Sequence, residues 1–277
     1  MVALLLAYKT YRNMFLNKYC SNNKLIEYYF FVRGDYSDYK NRELQFFPDG
    51  SSIIVFNFGS DFVEGQNILP RKLLSATCTE THYLKLKKGC IDILGIKLKP
   101  YGLYPFLQNN ISAISSRIIN LEVLFGEELS GVVELLLQKD EPLEKVEFLD
   151  NYLLSKIIRE VPTLIQTLIE ELDISSDDHS VFSLATKYHV STKTIQRLFN
   201  QYIGISPKKY LRLHKLVTMI RLMKEKKEFN LSGLTYELGY SDQSHFIKEF
   251  YEFTKLKPSL FQKNIPMSDF YNFELFS

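Results

Sequence analysis

Cysteine is scarce in this chain of 277 residues, which holds only Cys20, Cys78 and Cys90. The three are odd in number and far apart, no two form a C-x-x-C pair, and no histidine lies near them at ligand spacing. Disulfide frameworks and zinc sites both need paired or closely spaced cysteines. We therefore expect three ordinary reduced cysteines and no bound metal.

Long apolar runs are also missing. No stretch approaches the roughly 18 residues of a transmembrane helix, and Met1–Ala7 is too short for the core of a signal peptide and has no basic start. These absences predict a cytoplasmic protein with no membrane partner. Hydrophobic residues nevertheless make up 45% of the sequence, which is enough for a substantial core.

The sequence lacks the common signatures of catalysis. It has no glycine-rich phosphate loop, no G-x-S-x-G nucleophile motif and no H-E-x-x-H order among its histidines. We therefore expect no enzyme, no catalytic residues and no cofactor. A pocket in which Asp92, Glu64 or His82 converge would be the observation that reopens an enzymatic interpretation.

Charge is placed unevenly although the net charge is only +2. Residues 173–264 hold 15 Lys and Arg against 9 Asp and Glu, whereas residues 1–172 hold 19 against 21. A basic C-terminal third on a nearly neutral body suits a polyanionic partner for that third alone.

Hydrophobic periodicity separates a β-rich part from a helical part. Apolar and β-branched runs predict three strands, at Glu27–Arg33, Ser51–Phe58 and Cys90–Leu98. After Gly102 the apolar residues recur at helical spacing and predict helices at Leu129–Lys139, Leu143–Ile158 and Glu160–Leu172. The polar stretch that follows, Leu172–His179, is the predicted domain boundary.

These patterns predict an α+β fold. Residues 1–172 are expected to form a mainly β, barrel-like domain with trailing helices, β-rich over 1–100 and helical over 103–172. An all-α domain of about seven helices is expected at 173–264, followed by a tail at 265–277. We expect the first domain to sense a ligand or to dimerise.

The C-terminal domain repeats itself. Ala185 corresponds to Thr235 and Ser191 to Ser241 at an offset of 50. Three further pairs follow at an offset of 51, namely Phe199 with Phe250, Pro207 with Pro258 and Tyr210 with Phe261. One residue is therefore inserted at the start of the second copy's main helix. Each copy has the order of a helix-turn-helix.

In the first copy, Ser183–Tyr188 is the predicted first helix and Ser191 is the predicted N-cap of the second, since its hydroxyl can accept from free backbone N–H groups. The second helix has an apolar face composed of Ile195, Leu198, Phe199 and Tyr202. Its polar face carries side chains suited to guanine and adenine edges, namely Lys193, Gln196, Arg197 and Asn200.

The second copy follows the same order. Gly239 lies in the turn, where a left-handed backbone costs glycine little, and Ser241 is the predicted N-cap. The predicted inward stripe is Phe246, Phe250 and Phe253. The predicted outward face is Gln243, Ser244, Ile247, Lys248 and Tyr251. On that face Ile247 suits a thymine methyl group, and Lys248 suits a guanine or a phosphate.

A helix is predicted between the copies. Ser206 and Pro207 favour a helix start there. The helix is predicted to run to about Lys227, with one apolar stripe formed by Tyr210, Leu213, Val217, Ile220 and Met223. Such a helix is about 31 Å long, close to the roughly 34 Å of one turn of B-DNA. It can therefore hold two reading helices in successive major grooves on one face of a duplex.

These residues resemble the AraC/XylS family of transcription regulators. The matching positions form two ordered half-signatures: Leu184-Ala185, Val190-Ser191, Ile195–Phe199, Gly204–Pro207 and Tyr210, then Leu234, Gly239–Ser244, Phe246, Phe250 and Pro258. The resemblance implies a domain of seven helices with a bipartite DNA contact. The base contacts it implies come from Lys193, Gln196 and Arg197, and from Gln243, Ser244, Ile247 and Lys248.

The second unit departs from the family pattern. Lys215 and Met219 stand where the family usually has Arg and Ala, Thr235 replaces a small Ala, and Lys255–Pro258 replaces Gly-x-Ser-Pro. We therefore expect the first unit to supply most of the sequence reading and the second unit more of the anchoring.

The N-terminal part resembles a sensor-type domain that occurs in a subset of this family and whose ligands are generally unassigned. The resemblance lies in Phe47–Gly50 with the strand to Phe58, and in Leu94–Pro100 with Gly102. On this resemblance the domain begins near Met14, and residues 1–13 are an extension.

The predicted function is a sequence-specific DNA-binding transcription regulator with double-stranded DNA as its partner. A small-molecule effector, a second copy of the chain and RNA polymerase are open candidates as further partners. The alternative is a helix-turn-helix module that binds a protein without reading DNA. That module would keep the fold but would lack a basic surface for a polyanion, so the positive net charge of residues 173–264 argues against it.

Overall fold

The computed structural model describes residues 5–11, 14–35, 43–86, 89–174, 179–225 and 230–263. The strands are β1 (Leu5–Tyr11), β2 (Met14–Tyr19), β3 (Ile26–Asp35), β4 (Glu43–Phe46), β5 (Ser52–Asn57), β6 (Phe62–Glu64), β7 (Asn67–Ile68), β8 (Lys72–Ala76), β9 (His82–Leu86), β10 (Cys90–Leu98) and β11 (Arg117–Asn120). The helices are α1 (Glu122–Phe125), α2 (Leu129–Leu137), α3 (Pro142–Ser155), α4 (Thr163–Ile174), α5 (Val181–Lys187), α6 (Thr192–Tyr202), α7 (Pro207–Glu225), α8 (Leu231–Glu237), α9 (Gln243–Thr254) and α10 (Pro258–Lys263).

Two antiparallel sheets form the β-rich region, β1–β11. The larger sheet has the strand order β1-β2-β3-β10-β5-β8-β11, and the smaller has the order β4-β9-β6-β7. Successive side chains of a strand point to opposite faces. Thus Phe30 and Val32 of β3 pack with Phe62 and Leu84 of the smaller sheet, whereas Tyr29 packs in the core on the other face of the larger sheet. The mainly β prediction for this region is confirmed.

Side chains of strand β10 alternate between the two faces of the larger sheet. Leu94, Ile96 and Leu98 pack in the core that faces the helices, and Ile91 packs between the sheets. Gly95 lies directly opposite Phe30 in the β3–β10 register. A Cβ at Gly95 would lie 1.9 Å from the Phe30 ring, so glycine is needed for this ring to lie across the strand.

Two strands lie where the sequence predicts other structure. β11 falls inside residues 103–172, which are predicted to be helical, and pairs with β8. β1 falls inside the predicted extension, residues 1–13, and pairs with β2. Both strands cover an edge of the larger sheet, whose backbone groups would otherwise lack partners. Such pairing depends on distant chain segments, which periodicity along the sequence does not show.

The predicted helices are present with shifted ends. α2, α3 and α4 correspond to the helices predicted at 129–139, 143–158 and 160–172. α4 contacts α6, so the predicted boundary at residue 173 falls near the end of a helix that packs with the C-terminal helices. Within the predicted domain, residues 173–264, the described residues form six helices, α5–α10, rather than about seven, and α4, predicted as the last helix of the N-terminal domain, packs with them. We call α4–α10 the C-terminal helical region. The predicted tail, residues 265–277, lies outside them.

One apolar core extends from the larger sheet through the C-terminal helical region. It includes Ile54 and Leu98 of the sheet, Leu168 of α4, Phe199 of α6 and Phe250 of α9. The β-rich region and the helices are therefore packed on each other rather than on separate cores. Among the described helices, none is both long and apolar enough to cross a lipid bilayer.

Candidate DNA-binding surface

The first helix-turn-helix begins at a capping box. The Ser180 hydroxyl accepts from the backbone N–H of Ser183 at 3.0 Å, and the Ser183 hydroxyl accepts from that of Ser180 at 2.9 Å. This reciprocal pair satisfies two N–H groups that the helix itself leaves free. It starts α5 at Val181, two residues before the predicted start. Leu184 and Ala185 are buried, as predicted.

The turn after α5 orients α6, which with α9 is a helix predicted to contact bases; we call α6 and α9 the reading helices. His189 adopts a φ of +53°, in the left-handed region, and the next N–H, of Val190, donates to the Ala185 carbonyl at 3.0 Å. Ser191 then caps α6, since its hydroxyl accepts from the Thr194 N–H at 3.0 Å. The predicted cap is confirmed. Ser191 thus has a structural task beside any contact with a ligand.

The two faces of α6 separate as predicted. Ile195, Leu198 and Phe199 are buried, and Tyr202 is half-buried. The polar positions Lys193, Gln196, Arg197 and Asn200 are all exposed. The side chains on this face are cationic or amide groups without an acidic neighbour among them, which is the composition that binds base edges and phosphates.

In the second unit, α8 is capped by Asn230, whose side-chain oxygen accepts from the Ser232 N–H at 3.0 Å. Leu234 and Thr235 are its buried residues. The Thr235 hydroxyl donates to the Leu231 carbonyl at 2.7 Å. This bond satisfies the only polar group that Thr235 adds to a position where the related pattern has Ala, and it explains why the departure leaves the fold intact.

The N-cap of the second reading helix is Asp242, not Ser241 as predicted. The Asp242 carboxylate accepts from the His245 N–H at 2.8 Å, and Ser241 donates its hydroxyl to the same carboxylate at 3.2 Å. The backbone hydrogen bond from His245 lowers the pKa of Asp242. A carboxylate at a helix N-terminus also gains from the helix dipole, which further stabilises this cap.

This cap shows where the second copy carries its one extra residue relative to the first copy. Gly239 takes φ +68° where His189 takes +53°, and the N–H of Tyr240 donates to the Thr235 carbonyl at 3.0 Å, as Val190 does to Ala185. The turns therefore match at an offset of 50, whereas the caps Ser191 and Asp242 match at 51. The insertion lies in the turn, just before the helix.

The aromatic residues of the repeat make the same contact in both copies. The rings of Phe199 and Tyr210 meet edge to face with centroids 5.4 Å apart. Their counterparts, Phe250 and Phe261, also meet edge to face at 5.4 Å. Each reading helix is thus held by the helix that follows it through an equivalent ring pair.

The outward face of α9 is exposed at Gln243, Ser244 and Lys248, whereas Ile247 is partly buried. Ile247 packs against the apolar core, so less of its side chain is available to a thymine methyl group than the sequence predicts. The inward stripe of Phe246, Phe250 and Phe253 is confirmed.

Glu249 on α9 is buried, and sequence reasoning missed it. Arg212 of α7 binds Glu249 at 2.7 Å and Glu252 at 2.6 Å, and its guanidinium lies 4.9 Å from the centroid of the Phe253 ring. These contacts hold the second reading helix against α7. The sequence shows only that Glu249 stands beside the apolar stripe of its helix. It does not indicate the partner, because Arg212 lies on a different helix.

Helix α7 joins the two units. Ser206 accepts from the Lys209 N–H at 3.3 Å, as expected of an N-cap, and the helix has 19 residues. Its length is about 28 Å at 1.5 Å per residue, slightly less than predicted. Leu216 and Met219 are buried beside the predicted stripe, whereas Val217 is only partly buried, because α7 is packed from more than one side.

Two departures from the family pattern have visible consequences. The Lys215 ammonium lies 4.3 Å from the centroid of the Tyr240 ring, so a cation still contacts the turn of the second unit. Lys255 ends α9 in the left-handed conformation with φ +57°. Glycine adopts this conformation without strain, and a lysine does not.

Of the three residues whose convergence would indicate an enzymatic site, His82 and Glu64 meet, but Asp92 lies on the other sheet. His82 Nδ1 and Glu64 Oε1 are 2.7 Å apart on the smaller sheet, while Asp92 on the larger sheet pairs with Arg33 at 3.0 Å. Across the residues that the structure describes, no three or more His, Cys, Asp or Glu side chains cluster as a metal site.

The β-rich region contacts the helical region through two neighbouring loops, Phe47–Ser51 and Thr77–Thr81, which we call the docking edge. Gly50 N–H donates to the Cys78 carbonyl at 2.9 Å, and Cys78 N–H donates to the Ser51 carbonyl at 2.8 Å. These bonds join the two loops. The docking edge contains Phe47–Gly50, part of the predicted sensor motif.

A buried ion pair supports the docking edge. Asp49 Oδ2 lies 2.7 Å from Lys97 Nζ, so the two sensor-like sequence motifs meet here. Asp49 also accepts from the Ser51 N–H at 2.9 Å and from its hydroxyl at 2.7 Å. Burial alone would raise the pKa of Asp49, but Lys97 and these hydrogen bonds outweigh it and lower the pKa.

A groove of about 1230 Å³ lies between the two regions. Lys18, Tyr28 and Asp49 line it from the β-rich region, and Arg212 and Tyr240 line it from the helical region. Its walls therefore combine charged, aromatic and apolar surface from both.

Comparison with known proteins identifies two segments. Residues 184–264 match a family model described as a helix-turn-helix domain, and residues 23–120 match a domain of unknown function, DUF6597. The second match ends at the last residue of β11.

Two curated relatives cover part of the chain. An uncharacterized HTH-type transcriptional regulator of Haemophilus influenzae is 29% identical over 100 residues, which are 36% of this chain and 33% of that protein. The HTH-type transcriptional activator RhaS of Citrobacter koseri is 30% identical over 64 residues, 23% of each chain. The matches thus span a third or less of these relatives.

Among solved structures, ToxT from Vibrio cholerae, at 1.65 Å resolution, covers 91% of this chain and 98% of its own, with 10% identity and a TM-score of 0.49. The two capped units, their order and the matched segments confirm the resemblance at the level of domains. Residues 184–264 of this chain are a helix-turn-helix domain, and they follow a segment, residues 23–120, that matches DUF6597.

Proposed function

We propose that this chain is a sequence-specific DNA-binding transcription regulator. The observation that carries the proposal is the pair of exposed polar faces on α6 and α9, each on a capped reading helix, joined by α7. The length of α7, about 28 Å, approaches one turn of B-DNA. Two helices held in this way suit successive major grooves on one face of a duplex.

The proposed contacts follow the exposed faces. Lys193, Gln196, Arg197 and Asn200 read bases or phosphates from α6, with Ser191 at its N-terminus. Gln243, Ser244 and Lys248 do so from α9, with a smaller part for Ile247. Arginine binds guanine and glutamine binds adenine through two hydrogen bonds each. The first unit therefore supplies more of the specificity, and the second more of the anchoring.

The test is selection of bound fragments from random double-stranded DNA by the full chain, followed by a salt series on the best site. We expect a two-part site whose affinity falls steeply with salt, because bound phosphates release counterions. A folded chain that enriches no sequence would overturn the proposal and favour a helix-turn-helix module that binds a protein partner.

Arg197→Ala sharpens the test. The variant should lose about 1–3 kcal/mol on the selected site, the contribution of one bidentate base contact, and little on random DNA. Lys24→Ala is the matched control, since Lys24 is an exposed cation of the β-rich region. If Arg197→Ala weakens binding equally on the selected site and on random DNA, Arg197 contacts a phosphate rather than a base.

The groove between the two regions is the proposed site for a small-molecule effector. A ligand there would touch both regions, so its affinity would change with their arrangement, which is the condition for control by a ligand. DNA binding is measured with and without small metabolites from a cell extract. Unchanged affinity would remove the effector from the proposal.

The remaining parts of the proposal, namely further partners and location, follow from the proposed role as a transcription regulator. A second copy of the chain and RNA polymerase stay open candidates as partners, to be tested by sedimentation of the DNA complex and by transcription in vitro. The proposed role has a cytoplasmic location and involves no catalysis.

A further inference from the structure

We infer that the docking edge sets the separation and relative angle of the two reading helices, and so decides which half-site spacing the chain accepts in DNA. This inference rests on the proposed function. The docking edge belongs to the β-rich region, so residues far from the DNA face would determine one element of specificity.

The docking edge holds the end of the first reading helix. The Thr77 hydroxyl donates to the Ile203 carbonyl at 2.9 Å. The Ser115 hydroxyl, in the β-rich region beside the docking edge's own residues, is shared between the Gly204 carbonyl at 3.1 Å and the Ile111 carbonyl at 3.3 Å. The carbonyls of Ile203 and Gly204 follow the last turn of α6, where a helix leaves acceptors without internal partners. The β-rich region therefore caps the C-terminal end of α6.

The docking edge also holds the end of the second reading helix. The Thr81 hydroxyl donates to the Phe253 carbonyl in the last turn of α9 at 2.5 Å. Phe47 packs against Phe261 of α10 with ring centroids 5.7 Å apart. Phe261 in turn packs on Phe250 of α9. One short stretch, Thr77–Thr81, thus bonds to both reading helices.

A third contact lies between these two, on α7. A Cβ built on Gly50 would lie 3.2 Å from the Tyr210 ring, so the docking edge packs closely on the first turns of α7. Lys209 of α7 donates to the Thr79 hydroxyl at 3.0 Å. The two units and the helix that joins them are therefore all fixed to the same two loops.

The docking edge is itself rigid. Its loops are hydrogen-bonded to each other through Gly50, Ser51 and Cys78. Thr77 is fully buried and has φ +33°, and nearby Ser116 has φ +60°. A β-branched residue at positive φ is strained and persists only where its surroundings fix it. Such a support transmits a fixed geometry rather than adapting to the DNA.

The expected consequence is a sharp spacing preference. Adding one base pair between two half-sites moves them by about 3.4 Å and turns them by roughly 35°. A chain with rigidly spaced helices then loses the base contacts of one unit, about tenfold in affinity for one bidentate contact. A chain with independent units would adapt and lose little.

The experiment uses the full chain and the two-part site that it selects, with zero, one or two base pairs added or removed between the half-sites. The double variant Thr77→Val with Ser115→Ala removes the hydrogen bonds from the β-rich region to the end of α6, and so releases the first unit. Thr81→Val removes the hydrogen bond to the end of α9, and so releases the second unit. Thr167→Val is the control, because it removes a hydroxyl that bonds only within α4. Circular dichroism and the active fraction of each protein verify folding.

Wild type and Thr167→Val should lose about tenfold in affinity for a shift of one base pair. The released variants should lose threefold or less while keeping most of their affinity for the best spacing. An unchanged spacing profile, or equal weakening at every spacing, would overturn this inference alone. A wild-type chain that selects no two-part site would overturn the proposed function together with it.

Discussion

Replacing Asp49 by asparagine removes one charge from a buried ion pair while it keeps the shape of the side chain. The side chains of Lys97 and Asp49 are only 5% and 10% exposed, and their charged atoms are 2.7 Å apart. Without Asp49, the carboxylate of Glu27 still lies 4.0 Å from the Lys97 ammonium. Breaking a buried pair by removing one partner costs about 3–5 kcal/mol.

Glu27 offsets part of this cost, so we expect Asp49→Asn to lower the free energy of unfolding by about 3 kcal/mol at pH 7. Asp61→Asn is the control. Asp61 pairs with Arg71 at 3.0 Å, but the two side chains are 33% and 55% exposed, and an exposed pair contributes less than about 1 kcal/mol. Adding Lys97→Met to Asp49→Asn should restore much of the stability, since no buried charge is then left alone.

The loss should also depend on pH. The pKa of Asp49 is lowered in the folded chain, so its contribution is complete above the ordinary carboxyl pKa near 4. It disappears as the pH falls through the lowered value. Urea unfolding followed by circular dichroism between pH 7 and pH 3 measures this, and the curves of wild type and Asp49→Asn should approach each other in acid. A loss at pH 7 no larger than that of Asp61→Asn would refute the reasoning.

Three further substitutions and one control, Gly131→Ala, test other parts of the structure, each by urea unfolding. Gly204→Ala should destabilise the chain by about 1–3 kcal/mol, because Gly204 has φ +87° and a Cβ there would lie 2.6 Å from Ser115 Oγ. Gly131→Ala, on a helix with open space around it, should instead be neutral or stabilising. Lys255→Gly should add about 1 kcal/mol by relieving the left-handed end of α9, and unchanged stability would contradict that strain. Arg212→Met should cost about 3 kcal/mol, because it leaves the buried Glu249 carboxylate only the more distant His245, at 4.0 Å; a loss below 1 kcal/mol would contradict the contact.

The sequence predicts the helix-turn-helix units well because their determinants are local. Ser191 caps α6, and the stripe of Phe246, Phe250 and Phe253 turns inward, since both follow from helical spacing alone. The second cap is the exception. Serine and aspartate are adjacent and both good N-caps, so the position of the inserted residue decides between them, and only the observed turn reveals it.

What the sequence does not predict depends on contacts between distant segments. The pairing of Arg212 with Glu249 and of Asp49 with Lys97 joins residues on different elements, and no pattern in the chain indicates the partner. β11 is likewise a strand because β8 offers it a free edge. The partial burial of Ile247 has the same origin, because the core beneath α9 reaches further round the helix than its own periodicity suggests.

The core shared by sheet and helices limits how this protein can be recombined. Regulators whose halves have separate cores can exchange sensor domains by joining sequences at a linker. In this chain, a fusion made between residues 174 and 179 would uncover Ile203, Tyr210 and Phe261, all of which belong to the shared core. Any new N-terminal domain would have to supply a surface equivalent to the docking edge. Exchange of the N-terminal domain therefore requires that the two loops of the docking edge and the helices they contact change together.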